Sequence, residues 1–205
     1  MLIIMPNDIF YPEKTHVPEL ARLMTRAFKN YPIYGAMIPD EHKRERLDVL
    51  FEVLTRYAMR YGVALASSDA LEGVLLALPW QGREISTAGM IRCGAFRIPL
   101  ALGFDFLRRQ NVINAVQKTM HASLAPKVHM YLWNLAVDPA HQGKGIGARL
   151  VRDLLSTIQD PYRSCYLETA KPENVEIYMH LGFRTVGTHE FSDLGFTNTG
   201  MLWGT

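Results

Sequence analysis

Apolar residues recur at every third or fourth position in several stretches of the chain, a spacing that places side chains on one face of a helix. The stretches with this spacing predict helices over residues 15–28, 47–61, 145–159 and 172–181. Between residues 86 and 125 the same spacing returns, interrupted by Pro99 and Gly103. We therefore expect two or three further helices in that region, lying outside the sheet.

Short apolar runs bounded by turn-forming residues predict the strands. These runs fall at residues 8–13, 62–68, 72–80, 127–137, 164–170, 183–191 and 200–203. A tight turn between the second and third runs indicates an antiparallel pair. The strand, helix and strand between residues 127 and 170 favour a parallel pairing. The stretch from Tyr31 to Asp40, which contains two prolines, is predicted to be a loop.

The composition is that of an ordinary globular protein. Of the 205 residues, 48% are hydrophobic and 20% are charged, and no internal repeat or polar linker divides the sequence. We expect a single domain over residues 1–205. The apolar stretch at residues 89–107 carries Arg92, Arg97 and Asp105, so it is unsuited to span a membrane, and no membrane partner is expected.

Charge and cysteine content exclude several classes of function. The net charge is +2, with Lys and Arg spread along the chain, so a nucleic-acid partner is not expected. The two cysteines, Cys93 and Cys165, cannot form a disulfide framework, and the seven histidines lack a metal-ligand spacing. We therefore predict no metal site and a reducing, cytoplasmic location.

Three glycines and a lysine join an apolar run to a helix in the sequence VDPAHQGKGIGARLV, residues 137–151. A helix N-terminus presents unpaired N–H groups and the positive end of the peptide dipole, and glycines leave both accessible. Gly143, Gly145 and Gly147 therefore predict a phosphate or pyrophosphate site, to which Lys144 adds positive charge.

Two other interpretations of this turn stay open. Glycines at these positions are also typical of a tight strand-to-helix turn that binds nothing. Gly143, Gly145 and Ala148 also fit the dinucleotide-binding pattern G-x-G-x-x-G/A, with Glu168 about twenty residues further on. Against a dinucleotide site, residues 138–142 separate the glycines from the strand that should lead into them directly.

The stretch Gln142–Gly147 resembles the Q/R-x-x-G-x-G/A loop of the GNAT superfamily of acyl-CoA-dependent N-acetyltransferases. The later stretch ENVEIYMHLGF, residues 173–183, is similar to that family's second signature, in which an Asn, a Tyr four residues on and an L-G-F ending recur. Residues 27–40 are reminiscent of the branch that acetylates antibiotics and small amines. The resemblance implies an α/β fold with a mixed, mostly antiparallel central sheet, a parallel β-α-β core and flanking helices.

The resemblance also implies acetyl-CoA as co-substrate. Its pyrophosphate would bind the backbone amides of the glycine turn, and its pantetheine arm would pair with the strand that ends at Val137. Asn174 would either hydrogen-bond this arm or cap the short helix that contains it. The cofactor-binding residues predicted in this way are Leu135, Ala136, Val137, Gln142, Gly143, Lys144, Gly145, Ile146, Gly147 and Asn174.

Acetyl transfer to an amine requires removal of a proton from the ammonium group and protonation of the departing thiolate. The resemblance implies that Tyr178 is the general acid toward the sulfur, and its alternative role is packing in the core. Glu168, near the end of a predicted strand, is our candidate for the base, and its alternative role is a solvated carboxylate. Lesser candidates for the base are His129, Tyr131 and Asn134. Cys165 lies between apolar residues and is expected in the core.

The sequence and the resemblance together predict direct transfer of an acetyl group from acetyl-CoA to a primary amine of a small molecule. Two alternatives stay open: a nicotinamide- or flavin-dinucleotide-binding oxidoreductase, and a non-catalytic acyl-CoA-binding sensor. A small-molecule amine is the expected partner, and a homodimer is left open.

Overall fold

The computed structural model describes residues 9–81 and 85–204. The strands are β1 (Val63–Ala66), β2 (Gly73–Trp80), β3 (His129–Val137), β4 (Ser164–Thr169), β5 (Arg184–Phe191) and β6 (Phe196–Gly204). The helices are α1 (Val17–Phe28), α2 (Pro32–Met37), α3 (Glu41–Arg44), α4 (Leu47–Tyr61), α5 (Thr87–Arg92), α6 (Ile98–Leu102), α7 (Phe104–Leu124), α8 (Ile146–Ser156) and α9 (Pro172–His180). Most of the predicted elements are present, including three α-helices between residues 86 and 125.

The six strands form one sheet in the order β1-β2-β3-β4-β6-β5. Among these described strands, β3 and β4 are the one parallel pair, and all other neighbours are antiparallel. This topology confirms the predicted mixed, mostly antiparallel sheet with a parallel β-α-β core. It is inconsistent with a dinucleotide-binding fold, which requires a mostly parallel, doubly wound sheet.

The first two strands are buried on both faces, which explains why they read as continuous apolar runs. In β2, Val74, Leu76 and Leu78 pack on one face with α1 and α4. Leu75 and Ala77 alternate with them and pack on the other face against Leu150 and Leu154 of α8. Side chains alternate between faces along a strand, so each run supplies both layers of the core.

Strands β3 and β4 separate halfway along their length. Their pairing runs from Met130 with Cys165 to Leu132 with Leu167 and then stops. At the same level β3 carries a bulge toward β2, because Ala77 pairs with Leu132 and Leu76 pairs with Asn134, which leaves Trp133 without a partner in the register. A bulge bends a strand and increases its twist, so it moves the rest of β3 away from β4.

Two predictions about the first forty residues are wrong. In place of a strand over residues 8–13, the structure has a single bridge between Phe10 and Ala66, and Asp8 lies outside the described residues. The predicted loop from Tyr31 to Asp40 contains helix α2 and leads into α3. Proline at the first helical position favours a helix start, and the Asp40 carboxylate caps α3 by accepting from the backbone N–H of His42 at 3.0 Å.

Within the described ranges, no helix has both the length and the apolar character needed to cross a bilayer. The predicted single domain over residues 1–205 includes residues outside those ranges and stays a prediction.

Candidate active site

The separation of β3 from β4 opens onto a cavity of about 470 Å³. Its walls come from the end of α1, from α2, α4 and α7, from strands β2 to β4, and from the start of α9. Both predicted catalytic residues, Glu168 and Tyr178, line this cavity, as do the predicted cofactor-binding residues Leu135 and Asn174.

Glu168 is a half-buried carboxylate that accepts hydrogen bonds from two side chains. Tyr166 Oη donates to Glu168 Oε1 at 3.0 Å, and Asn198 Nδ2 donates to Oε2 at 2.8 Å. Burial raises the pKa of Glu168 from its ordinary value to about 7, although hydrogen bonds from Asn198, Tyr166 and Gln117 act in the opposite direction. A carboxylate with this pKa can accept and release a proton near neutral pH.

The local sequence explains how Tyr166 reaches Glu168. The two residues are two positions apart in β4, so their side chains point to the same face of the sheet. Gly200 of β6 pairs with Glu168 in the register. A Cβ atom at Gly200 would lie 2.7 Å from Tyr166 Oη, so the glycine leaves room for the phenol beside the carboxylate.

Tyr178 packs in the core and also lines the cavity. The residue is 7% exposed, and its ring packs edge-on against Phe183 with centroids 5.6 Å apart. Burial raises the pKa of Tyr178 well above the ordinary value of a phenol. The phenol is therefore protonated at neutral pH, as a general acid must be.

Asn174 lies inside the first turn of α9 and does not cap it, because the capping position is Lys171. Its side-chain amide donates to Thr169 Oγ1 at 3.1 Å. The Tyr31 hydroxyl lies 2.9 Å from the same Oγ1 and accepts a 2.8 Å hydrogen bond from the backbone N–H of Ala170. These contacts fix the junction of β4 and α9 on the wall of the cavity.

The glycine turn follows the end of β3 and leads into α8. Gly143 and Gly145 have φ values of +79°, and a Cβ atom at either would meet no atom within 4 Å. Part of their role is therefore conformational, because side chains are strained at positive φ. No described side chain caps α8, so its first N–H groups are left to an external acceptor or to solvent. The turn thus has the open backbone that an anion requires.

Side chains around the turn hold it in place. Gln142 Nε2 donates to the Val137 carbonyl at 3.1 Å and ties the turn to the end of β3. Ile146, the first residue of α8, packs against the core. A Cβ atom at Gly147 would lie 3.5 Å from Val137 Cγ2, an ordinary contact distance, so this glycine is not required for space. Lys144 is exposed on the turn.

The lesser candidates for the base separate into two groups. Tyr131 and Asn134 line the cavity, but burial raises the pKa of Tyr131 well above the ordinary value, which makes it a poor base. His129 is completely buried. Its Nδ1 donates to the Pro126 carbonyl at 2.6 Å, and its Nε2 lies 2.7 Å from Nε2 of His121. His129 is therefore a structural residue behind the cavity wall.

Three residues of the site were missed from the sequence. His121 and Trp80 line the cavity with their ring centroids 4.2 Å apart, and Asn198 holds Glu168 from strand β6. Asn198 lies between Thr197 and Thr199, so its neighbours in the sequence did not indicate a buried position. His121 gave no signal either, since α7 lacks a regular apolar stripe around it.

Cys165 is completely buried, as expected for a core residue. Burial raises the pKa of its thiol to about 12, so the reactive thiolate is not formed at neutral pH.

Comparison with known proteins shows a similarity in the C-terminal half of the chain. A family model described as an acetyltransferase (GNAT) domain matches residues 109–204. The N-alpha-acetyltransferase RimI of Mycobacterium tuberculosis is 34% identical over 62 residues, which cover 30% of this chain and 39% of that relative. The chain thus spans about two fifths of the length of this curated relative.

Solved structures match over nearly the whole chain. A histone acetyltransferase HPA2 and related acetyltransferase from Corynebacterium glutamicum has a TM-score of 0.67 at 20% identity, covering 96% of both chains. Arylalkylamine N-acetyltransferase 2 from Aedes aegypti has a TM-score of 0.66 at 12% identity, covering 96% of this chain and 97% of its own. At these identities the structures show a shared fold. Residues 109–204 are thus similar to the acetyltransferase (GNAT) domain, and the chain shares the fold of these solved structures.

Proposed function

We propose that the protein transfers an acetyl group directly from acetyl-CoA to the primary amine of a small molecule. The observation that carries the proposal is the opening between β3 and β4. Pairing stops after Leu132 and Leu167, and the cavity at that point is lined by a half-buried carboxylate and a buried phenol. A base and an acid facing one cavity are what amine acetylation requires.

The residues around the opening fit the co-substrate. The open turn at Gly143 and Gly145 suits a pyrophosphate, with the backbone of Gln142–Gly147 as its donors and Lys144 as a nearby cation. The end of β3 at Leu135, Ala136 and Val137 is no longer paired with β4, so this stretch suits an extended amide-containing arm. Acetyl-CoA bound there supplies an activated thioester carbonyl and a thiolate leaving group.

Glu168 would remove the proton that an ammonium group carries at neutral pH. Its position on the cavity wall and its pKa of about 7 support this role. Tyr166 and Asn198 donate to its two carboxylate oxygens and keep it oriented. Because two donors favour the ionised form, they limit the rise in pKa that burial causes.

Tyr178 would deliver a proton to the departing sulfur. Its phenol lines the same cavity and is protonated at neutral pH. Transfer is proposed to be direct because the Cys165 side chain is buried in the core and its thiol is protonated, so it is a poor nucleophile. Asn174 lies on the same wall and could contact the pantetheine arm.

A small acceptor is proposed because the cavity of about 470 Å³ lies in the usual range of small-molecule sites. The mycobacterial relative is named an N-alpha-acetyltransferase, which makes a peptide N-terminus the competing acceptor. A reducing cytoplasmic location is part of the proposal and rests on the absence of a disulfide framework in the sequence.

Two measurements test the function. Calorimetry with acetyl-CoA, CoA, NADH and NADPH should detect binding of the first two only. Release of free thiol from acetyl-CoA should then depend on an added amine. Binding of acetyl-CoA without thiol release for any amine would instead identify an acyl-CoA sensor.

A further inference from the structure

We propose that the acceptor is a primary amine carried on a compact, uncharged aromatic body, with its ring in the apolar part of the cavity and its ammonium group at Glu168. This inference rests on the proposed acetyl transfer and adds the chemical class of the acceptor.

The inner part of the cavity is apolar and largely aromatic. Its lining from α1, α2, α4 and the adjacent strands comprises Phe28, Ile33, Tyr34, Met37, Leu50, Leu54, Trp80 and Trp133. Met37, Leu50 and Leu54 are each at most 6% exposed, so this part lies in the protein interior. An aromatic ring buried here would gain free energy both from apolar burial and from ring-to-ring contacts.

The aromatic wall is held in one arrangement by its neighbours. The rings of Phe28 and Tyr34 lie 5.7 Å apart, and each packs on Phe51 behind them at 5.5 Å and 5.4 Å. Trp133, the bulge residue of β3, packs edge-on against Tyr57 at 5.9 Å. Such a wall keeps its shape without a ligand, which reduces the entropic cost of binding a flat ring.

The charges in the cavity favour one ammonium group and disfavour several. Glu168 is the one carboxylate among the described residues that line it. A polyamine or an aminoglycoside carries further ammonium groups, and among the described residues that line the cavity these would meet only neutral polar groups, apolar side chains or Lys118. Neutral groups compensate a buried cation less well than a carboxylate does, so these acceptors are less well matched than an amine with one ammonium group.

Helix α7 adds a polar wall at the mouth of the cavity. Gln110, Asn114 and Gln117 follow one another at four and three residues, so they lie on one face of the helix and line the cavity together. Asn114 is exposed, which places this wall toward solvent. Carboxamides of this kind can hydrogen-bond a hydroxyl group or an indole N–H on the acceptor ring.

The experiment compares acceptors with the full-length protein. Thiol release from acetyl-CoA is measured with 2-phenylethylamine, tryptamine, spermidine, kanamycin and a peptide with a free N-terminus. We expect kcat/KM for both aryl amines to exceed the value for each other acceptor by about tenfold or more. A higher kcat/KM for spermidine, kanamycin or the peptide overturns the aromatic class and leaves acetyl transfer intact.

A binding arm separates the two proposals. Calorimetry measures 2-phenylethylamine and spermidine binding to the CoA-bound protein. Tighter binding of 2-phenylethylamine without any thiol release would support the acceptor class and refute the enzymatic function. Equal or weaker binding of 2-phenylethylamine would overturn the class whether or not the protein turns over.

One pair of variants locates the ring. Ile33→Asp places a charge in the apolar wall and should raise KM for 2-phenylethylamine about tenfold or more, while the Kd of CoA stays unchanged. Ile177→Asp makes the same change on an exposed position of α9 that is not part of the lining, and should leave KM unchanged. An unchanged KM in a folded Ile33→Asp protein overturns the placement of the acceptor ring in the apolar part of the cavity. If that variant does not fold, the acceptor panel and the binding measurement still decide the acceptor class.

Discussion

The side chain of Asn198 on β6 has no solvent exposure, and its Nδ2 donates to Oε2 of Glu168 on the neighbouring strand β4 at 2.8 Å. Tyr166 donates to the other oxygen, so the carboxylate is bound on both sides by neutral donors. Glu168 is half-buried, and these two hydrogen-bond partners are both neutral. Its charge then depends on the pH of the solution and on the hydrogen bonds around it.

The ionisation of Glu168 should control the pH dependence of acetyl transfer. A base must be ionised to accept a proton, and burial raises the pKa of this carboxyl to about 7, so kcat/KM should increase as the pH rises through about 7. Glu168→Gln should lower kcat/KM by about 10²–10⁴-fold and remove that increase. Steady-state thiol release at a series of pH values measures both effects.

Glu176→Gln, an exposed change on α9, is the matched control and should keep the wild-type profile. A profile that is the same in Glu168→Gln and wild type would exclude Glu168 as the base.

The stability of the fold supplies a second measurement of the same pKa. Because the folded-state pKa lies above the unfolded value, the contribution of Glu168 to the free energy of unfolding is present at low pH and lost as the pH rises through about 7.

Removing the Asn198 amide should move the pH profile in a known direction. Its hydrogen bond favours the ionised form of Glu168 and lowers the pKa of that carboxyl. Asn198→Ala should therefore shift the rise in kcat/KM to higher pH, with activity restored in part under alkaline conditions. The full pH profile distinguishes this from simple structural damage, which would lower activity at every pH and leave the midpoint in place.

Tyr178→Phe should separate catalysis from binding. The variant keeps the ring that packs on Phe183 and loses the proton donor, so kcat should fall by about 10²–10⁴-fold while the Kd of CoA stays nearly constant. Tyr162→Phe is the control, because Tyr162 is an equally buried phenol that is not part of the cavity lining. Turnover in Tyr178→Phe equal to that of the control would remove Tyr178 from the mechanism.

The buried histidine pair should weaken the fold in acid. His129 Nδ1 donates to the Pro126 carbonyl, so its neutral Nε2 accepts from His121. Burial and His129 lower the pKa of His121 to about 3, and burial also lowers that of His129. Because the unfolded chain takes up protons first, stability is full above about pH 6.5 and lost as the pH falls below it.

Thermal unfolding between neutral pH and pH 4 measures this effect, with a His121→Leu, His129→Leu double variant for comparison. The double variant should lose less of its Tm on acidification than wild type. An equal loss in both proteins would show that other groups cause the acid sensitivity.

The sequence was sufficient to predict the layered fold, because the relevant signals are local. The runs Val63–Ala66 and Gly73–Trp80 are apolar at nearly every position, since both faces of their strands are buried. The glycine turn was visible because residues at positive φ, such as Gly143 and Gly145, are usually glycine. Helix α2 was missed because two nearby prolines indicated a loop, whereas one of them starts the helix.

The candidate site was predicted only in part, because its chemistry depends on contacts between distant residues. Glu168 was predicted as the base, with a solvated carboxylate as its alternative role, but its hydrogen-bond partners Asn198 on β6 and Gln117 on α7 were not predicted. The contact of His121 with Trp80 joins α7 to β2. Such partners are selected by the tertiary fold, and no spacing in the sequence encodes them.

Alanine at Gly145 should weaken CoA binding beyond its effect on stability. Gly145 has a φ of +79°, where an L side chain costs about 1–2 kcal/mol, and the turn it belongs to is the proposed pyrophosphate site. Gly195→Ala is a closely matched control, because Gly195 has a φ of +70°, is equally open, and lies in the turn between β5 and β6. Urea unfolding should show a similar loss in the free energy of unfolding for both variants. Only Gly145→Ala should raise the Kd of CoA, by about tenfold. This factor corresponds to the loss of one hydrogen bond to a charged group, which contributes about 1.5 kcal/mol. If calorimetry gave the same Kd for both variants, the backbone of this turn would not be what holds the coenzyme.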